Sequence, residues 1–151
     1  MTILIVSLLV TAGSVGIMWA YMCWISANRN GWDRLARTYR HTGPFDGSRF
    51  GLQSAIFNGF AFTGTLNLGV VRDGLYLRGG LLLRFFHPAL VIPWSELRAT
   101  RFDRSHSAGY SLGFKSFPEM SCEISDATCH RLSQALDPAW SVMPPWSRSS
   151  E

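Results

Sequence analysis

ILIVSLLVTAGSVGIMWAYMCWI, residues 3–25, is an uncharged and mostly apolar run, and its reading decides how the rest of the chain is placed. A helix of that length reaches roughly 34 Å at about 1.5 Å per residue, enough to cross a hydrocarbon core of about 30 Å. A cleaved signal peptide would need a basic start, about 7–15 apolar residues and a small-x-small cleavage site. No Lys or Arg precedes Arg29, and the run is too long. A lipoprotein signal fares no better, because Tyr21-Met22 precede Cys23 where small residues belong. A buried helix of a soluble protein would carry a polar face, and this run has none. Residues 1–27 therefore read as a transmembrane anchor, with about 120 residues beyond it.

The flanks predict an orientation. Arg29, Arg34, Arg37 and Arg40 follow the run against a single acid, Asp33. The positive-inside rule puts that side in the cytoplasm, making the chain a single-pass protein of a cell inner membrane. Trp19, Tyr21 and Trp24 crowd the same end, where aromatic rings favour the membrane interface, and Trp32 extends the set. Ala12, Gly16 and Ala20, four apart, form a small-residue stripe through which two copies could dimerise. The net charge of +4, carried by thirteen Arg and one Lys, fits topology and attraction to anionic lipid better than nucleic-acid binding. Three cysteines (Cys23, Cys122, Cys129) make no disulfide framework.

Residues 28–48 read as a juxtamembrane amphipathic helix and linker. In GWDRLARTYR, residues 31–40, Trp32, Leu35, Ala36 and Tyr39 share one helical face. Either Trp32 and Tyr39 enter the acyl chains while Arg34, Arg37 and Arg40 meet lipid phosphates, or this face packs on the following domain. His41-Thr42-Gly43-Pro44 ends the helix.

From residue 49 the texture changes to short apolar stretches separated by turn residues. Strands are predicted over 50–57 and 60–63, parted by Asn58-Gly59, and over 66–71. Asp73-Gly74 predicts a hairpin built on positive φ, followed by strands over 75–78, 81–86, 90–92, 97–102, 110–114 and 120–124. The last two are expected to join through Phe117-Pro118. Ser125 then suits an N-cap, and Cys129, Leu132, Ala135 and Leu136 line one face of a helix that Asp137-Pro138 stops. The Pro- and Ser-rich residues 137–151 read as a disordered tail. The expected fold is an N-terminal transmembrane helix plus an α+β domain, residues 49–136, of about seven antiparallel strands and a C-terminal helix.

Two stretches carry a resemblance: Asp73-Gly-Leu-Tyr-Leu77, and Leu83-Arg-Phe-Phe-His-Pro-Ala-Leu-Val-Ile-Pro-Trp-Ser-Glu-Leu97. They look like the central hairpin of small uncharacterised bacterial single-pass membrane proteins with a PH-like or GRAM-like domain. The Gly-Trp-x-x-Leu-Ala-x-x-Tyr segment at 31–39 resembles the stretch that precedes that domain. The resemblance implies a PH-like fold over about residues 31–136 and brings no catalytic motif with it.

Few residues offer chemistry. Pro93 cannot donate a ladder hydrogen bond, so it suits an edge or a strand start and leaves Trp94 to cap the core. Ser95 lacks a Gly-x-Ser-x-Gly elbow. Arg84 and His87, with Arg78, read either as a small anion site or as a solvated loop. Arg98, Arg101 and Arg104 form a patch only if the sheet twists, because odd spacing on a strand alternates faces. Cys122, Cys129 and His130 miss zinc-ligand spacing and read as core residues. No enzyme, metal or cofactor is expected. The predicted function is a membrane-tethered, non-catalytic binding or scaffold module on the cytoplasmic face, contacting protein or anionic lipid. The alternative is a small structural subunit of a larger membrane protein complex.

Overall fold

The computed structural model describes residues 2–140 and 144–148. Helix α1 (Thr2–Arg29) is long and apolar enough to cross a membrane. Helix α2 (Trp32–Tyr39) follows after a sharp change of direction at Gly31. Gly31 sits at φ 83, in the left-handed region, and a Cβ there would overlap the Met120 side chain. The positive φ is what favours glycine at that corner, since the Met120 side chain could move aside.

Seven strands form one antiparallel sheet in the order β4-β3-β2-β1-β7-β6-β5. The strands are β1 (Ser48–Phe57), β2 (Phe60–Val71), β3 (Gly74–Gly79), β4 (Leu90–Pro93), β5 (Leu97–Arg104), β6 (Ser107–Phe114) and β7 (Phe117–Ser125). Two meanders, β1 to β4 and β5 to β7, are joined in the sheet where Ile56 and Phe57 pair with Glu123 and Cys122. Asn58 and Gly59, at φ 48 and 82, make the two-residue turn between β1 and β2.

The core lies between the meanders. Leu66, Leu68, Leu75, Leu77, Ile92, Leu112 and Ile124 are buried, and the Phe57 and Phe114 rings meet across it at 6.0 Å. Helix α3 (Asp126–Gln134) begins where Ser125 accepts a hydrogen bond from the Thr128 amide. It packs on β6, β7 and β2 with Cys129 and Leu132 buried. Trp94 is also buried, and its indole N–H donates to the Arg72 carbonyl at 3.2 Å.

Several expectations from sequence need correction. The predicted strands 60–63 and 66–71 are one continuous β2. The turn after β2 centres on Arg72 and Asp73, neither at positive φ. Gly74 already pairs in the sheet, and a Cβ there would overlap the Ile92 carbonyl oxygen, so close strand approach is what demands glycine. Pro118 lies within β7 rather than in the preceding turn.

Residues 81–86 form no strand. Gly80 donates to the Thr65 carbonyl, and the chain then coils, with the Arg84 amide donating to Gly80 and the His87 amide to Leu83. That winding turns Leu83 and His87 inward and leaves Leu81, Leu82 and Phe85 exposed at 72%, 67% and 75%. A short stretch of five apolar residues broken by Arg84 suits a strand or a helical turn equally well, and only its surroundings decide.

The tail is also more ordered than its composition suggests. Short 3-10 turns occupy Pro138–Trp140 and Pro145–Arg148. Trp146 is buried edge-on against Trp94, with its indole N–H on Ser133 Oγ at 2.9 Å. The rest of the expected tail, 141–143 and 149–151, lies outside the described residues.

Candidate functional site

The site is built where α1 runs into the domain. Along most of its length α1 presents exposed apolar side chains, and Ala12 and Gly16 lie open on its surface. Trp19, Tyr21 and Trp24 are exposed as well, with the Tyr21 and Trp24 rings stacked at 6.2 Å. The last turns differ, for Cys23, Ala27 and Asn30 are buried.

Trp32, predicted at the membrane interface, is instead fully buried. Its ring lies 5.2 Å from Phe57 and 5.1 Å from His87, and its indole N–H donates to the Pro88 carbonyl at 3.0 Å. Leu35 and Ala36 are buried beside it, so the apolar face of α2 packs on the domain and not among acyl chains. Tyr39 follows the same rule, with its hydroxyl donating to Glu96 at 3.1 Å. Trp32, Leu35 and Ala36 therefore belong to the domain core, with Tyr39 packed against it.

His87 is corrected too. It is wholly buried, between the Trp32 and Phe62 rings, with Nε2 3.4 Å from the Asn30 amide nitrogen. Burial pushes its pKa below the usual 6.5, opposed in part by the Leu83 backbone. It acts as a clamp between α1 and the coil at 80–87, and it does not join Arg84 in a solvent-facing anion site.

The predicted arginines separate into two groups. Arg34 pairs with Glu119 and lies over the Phe117 ring, while Arg37 pairs with Asp33 at 2.8 Å. Arg101 pairs with Asp126 at 3.1 Å and Arg104 with Glu123 at 2.9 Å, so neither joins a free basic patch. Arg40 and Arg84 form no ion pair among the described residues, and they come together with Arg78 and Arg49 around one cavity of about 710 Å³.

Strand alternation explains the placement. Leu75 and Leu77 point into the core, which sends Tyr76 and Arg78 to the opposite face of β3. Gly69 pairs with Arg49 on one side and Tyr76 on the other, which brings β1 and β3 into one row. Phe45 covers the Tyr76 ring at 4.4 Å, and His41 meets it edge-on. The Arg49 guanidinium rests over Phe45 and that of Arg84 over Phe85. Among the described residues no Asp or Glu lines this cavity, and Asp46, next to Phe45 in sequence, stands outside the lining. A second cavity shares Arg40, Arg84 and Phe85 with the first and continues to Trp24 and Ala27 of α1.

Arg40, Arg78 and Arg84 were legible as candidates, but Arg49 and Tyr76 were missed, because only strand register places them beside the others. Pro93 opens no site: it pairs with Gly74 at the end of β4 and leads into the turn that seats Trp94. Cys122 and Cys129 are buried thiols, each pushed by burial to a pKa of about 12. Compared with protein families, curated proteins and solved structures, the chain finds no match in any of the three.

Proposed function

We propose that this protein is a membrane-tethered, non-catalytic binding module: α1 spans a bilayer once and the domain sits on the cytoplasmic face of a cell inner membrane. The observation that carries the reading is the junction. Beyond a long exposed apolar length, α1 ends in residues buried in the domain, and Asn30, Trp32 and His87 lock that end to the coil at 80–87. A helix built this way holds its domain at a fixed attitude to the membrane instead of on a slack tether.

A PH-like assignment is supported by the order of elements, with a four-strand and a three-strand antiparallel meander and a C-terminal helix packed on the sheet. A binding role is favoured by where the reactive groups sit. The Cys122 and Cys129 thiols resist ionisation, and His87 is enclosed by aromatic rings. Exposed arginines and apolar side chains cluster instead at the end next to α1.

Fractionation with a C-terminal reporter tests this reading. The chain should stay in the membrane through alkaline carbonate, with the reporter active only in the cytoplasm. Release by carbonate, or a reporter active only outside, would refute it. Neutralising Arg29 and Arg40 should weaken the orientation bias, because the arginine excess beside the helix sets it.

A further inference from the structure

We propose that the four-arginine cavity on the outer face of β3 holds the phosphodiester headgroup of an anionic phospholipid, a reading that rests on α1 spanning the adjacent bilayer. Arg40, Arg49, Arg78 and Arg84 bring four positive charges to one cavity with no carboxylate in its lining among the described residues. Like charges so placed repel one another, whereas Arg34, Arg37, Arg101 and Arg104 elsewhere in the domain are paired with Glu119, Asp33, Asp126 and Glu123. A bound anion removes the repulsion here. Guanidinium groups suit a phosphate because their fixed N–H forks match its oxygens. Two of the four rest on the Phe45 and Phe85 rings, an arrangement that orders the side chain while leaving N–H edges free.

The surroundings select a lipid over a soluble phosphate. A second cavity, which shares Arg40, Arg84 and Phe85 with the first and whose one acid, Asp33, is paired with Arg37, reaches Trp24 and Ala27, the part of α1 that meets the membrane interface. Phe85 is 75% exposed at its edge, and Leu81 and Leu82 project from the same coil. A soluble anion has no use for such a rim, whereas a headgroup arrives with acyl chains for these side chains to meet. The His87 clamp keeps the coil, and with it Arg84, beside α1.

The test uses the full chain in mild detergent, with native mass spectrometry reading retained phosphatidylglycerol against phosphatidylcholine. Parallel arms offer glycerol 3-phosphate and a phosphoserine peptide. The double variant Arg49→Gln with Arg78→Gln removes two exposed or half-exposed arginines distant in sequence from α1. Arg98→Gln, an exposed arginine outside the cavity, is the control. At about 1 kcal/mol per arginine, phosphatidylglycerol retention should fall roughly 30-fold in the double variant and stay unchanged in the control. Thermal melting confirms that both variants fold.

Equal retention by the double variant and the parent chain would overturn the proposal. So would glycerol 3-phosphate or the phosphopeptide binding as tightly as the lipid. Carbonate extraction reports separately on the anchor, so a failed anchor and a failed cavity give different results.

Discussion

Two pairs of arginines, one on each meander, have opposite fates. On β5, Arg101 and Arg104 reach across to Asp126 and Glu123 and are satisfied within the fold. On β1 and β3, Arg49 and Arg78 face the same kind of strand surface but find no carboxylate among the described residues, and they share a cavity with Arg40 and Arg84. Residue type and strand placement are alike, and what differs is whether a neighbouring element supplies an acid. A basic residue with an internal partner is part of the structure, and one without is free to meet something else. The side left open is the side joined to α1.

The largest expected effect comes from breaking the joint. Trp32→Ala empties a fully buried site and should cost about 3–5 kcal/mol, read as a marked fall in melting temperature of the solubilised chain. It should also weaken the preference for anionic lipid, because the coil carrying Arg84 loses its contact through Pro88. Trp146→Ala, buried on the β5 side against Trp94, should lower stability as well but leave the lipid preference intact.

A second change makes the open side resemble the closed one. Thr42→Glu adds a carboxylate to the rim of the arginine cavity. Retention of phosphatidylglycerol should drop about fivefold, the equivalent of roughly 1 kcal/mol. Its sensitivity to salt should drop too, as fewer unpaired charges remain to be screened.

The clamp predicts a pH dependence. His87 is held below its usual pKa, so as pH falls through 6.5 the unfolded chain takes up a proton that the folded chain still refuses. Its contribution to stability is complete above pH 6.5 and declines below it toward the folded pKa. The melting temperature should be lower at pH 5.5 than at pH 7.5 in the parent chain, and the drop should be smaller in His87→Gln. Glu96 and Glu119 do not confuse that window. Ser116 holds the Glu96 carboxyl low, with help from Tyr39, and Glu119 is lowered by its own backbone amide and by Arg34.

The smallest effect belongs to the closed side. Glu123→Gln frees Arg104 from its pair, and because the arginine is exposed the melting temperature should move only slightly. Lipid retention should not change.

Much of this architecture was readable from the chain. The apolar helix announced itself by length and lack of charge, α3 by Ser125 and a helical apolar face, and the β1 to β2 turn by Asn58-Gly59. Periodicity shows that Trp32, Leu35 and Ala36 share a face but not what covers it, so bilayer and domain core both stayed open until packing decided. The coil at 80–87 was misread because Leu81, Leu82 and Phe85 look like buried strand residues and are in fact exposed. Trp146 was lost among Pro and Ser, although its partner Trp94 was expected to be buried. The arginine cavity was half legible. Arg78 and Arg84 are neighbours in sequence, while Arg49 reaches them only through the β1–β2–β3 register.

Hydrogen exchange on the full chain in nanodiscs, with and without phosphatidylglycerol, asks most directly whether the open side meets the membrane. Added anionic lipid should slow exchange in residues 40–49 and 78–87 and leave β5, β6 and β7 unchanged. Protection that appears on β5 to β7 instead, or that is the same with and without the anionic lipid, would contradict the account.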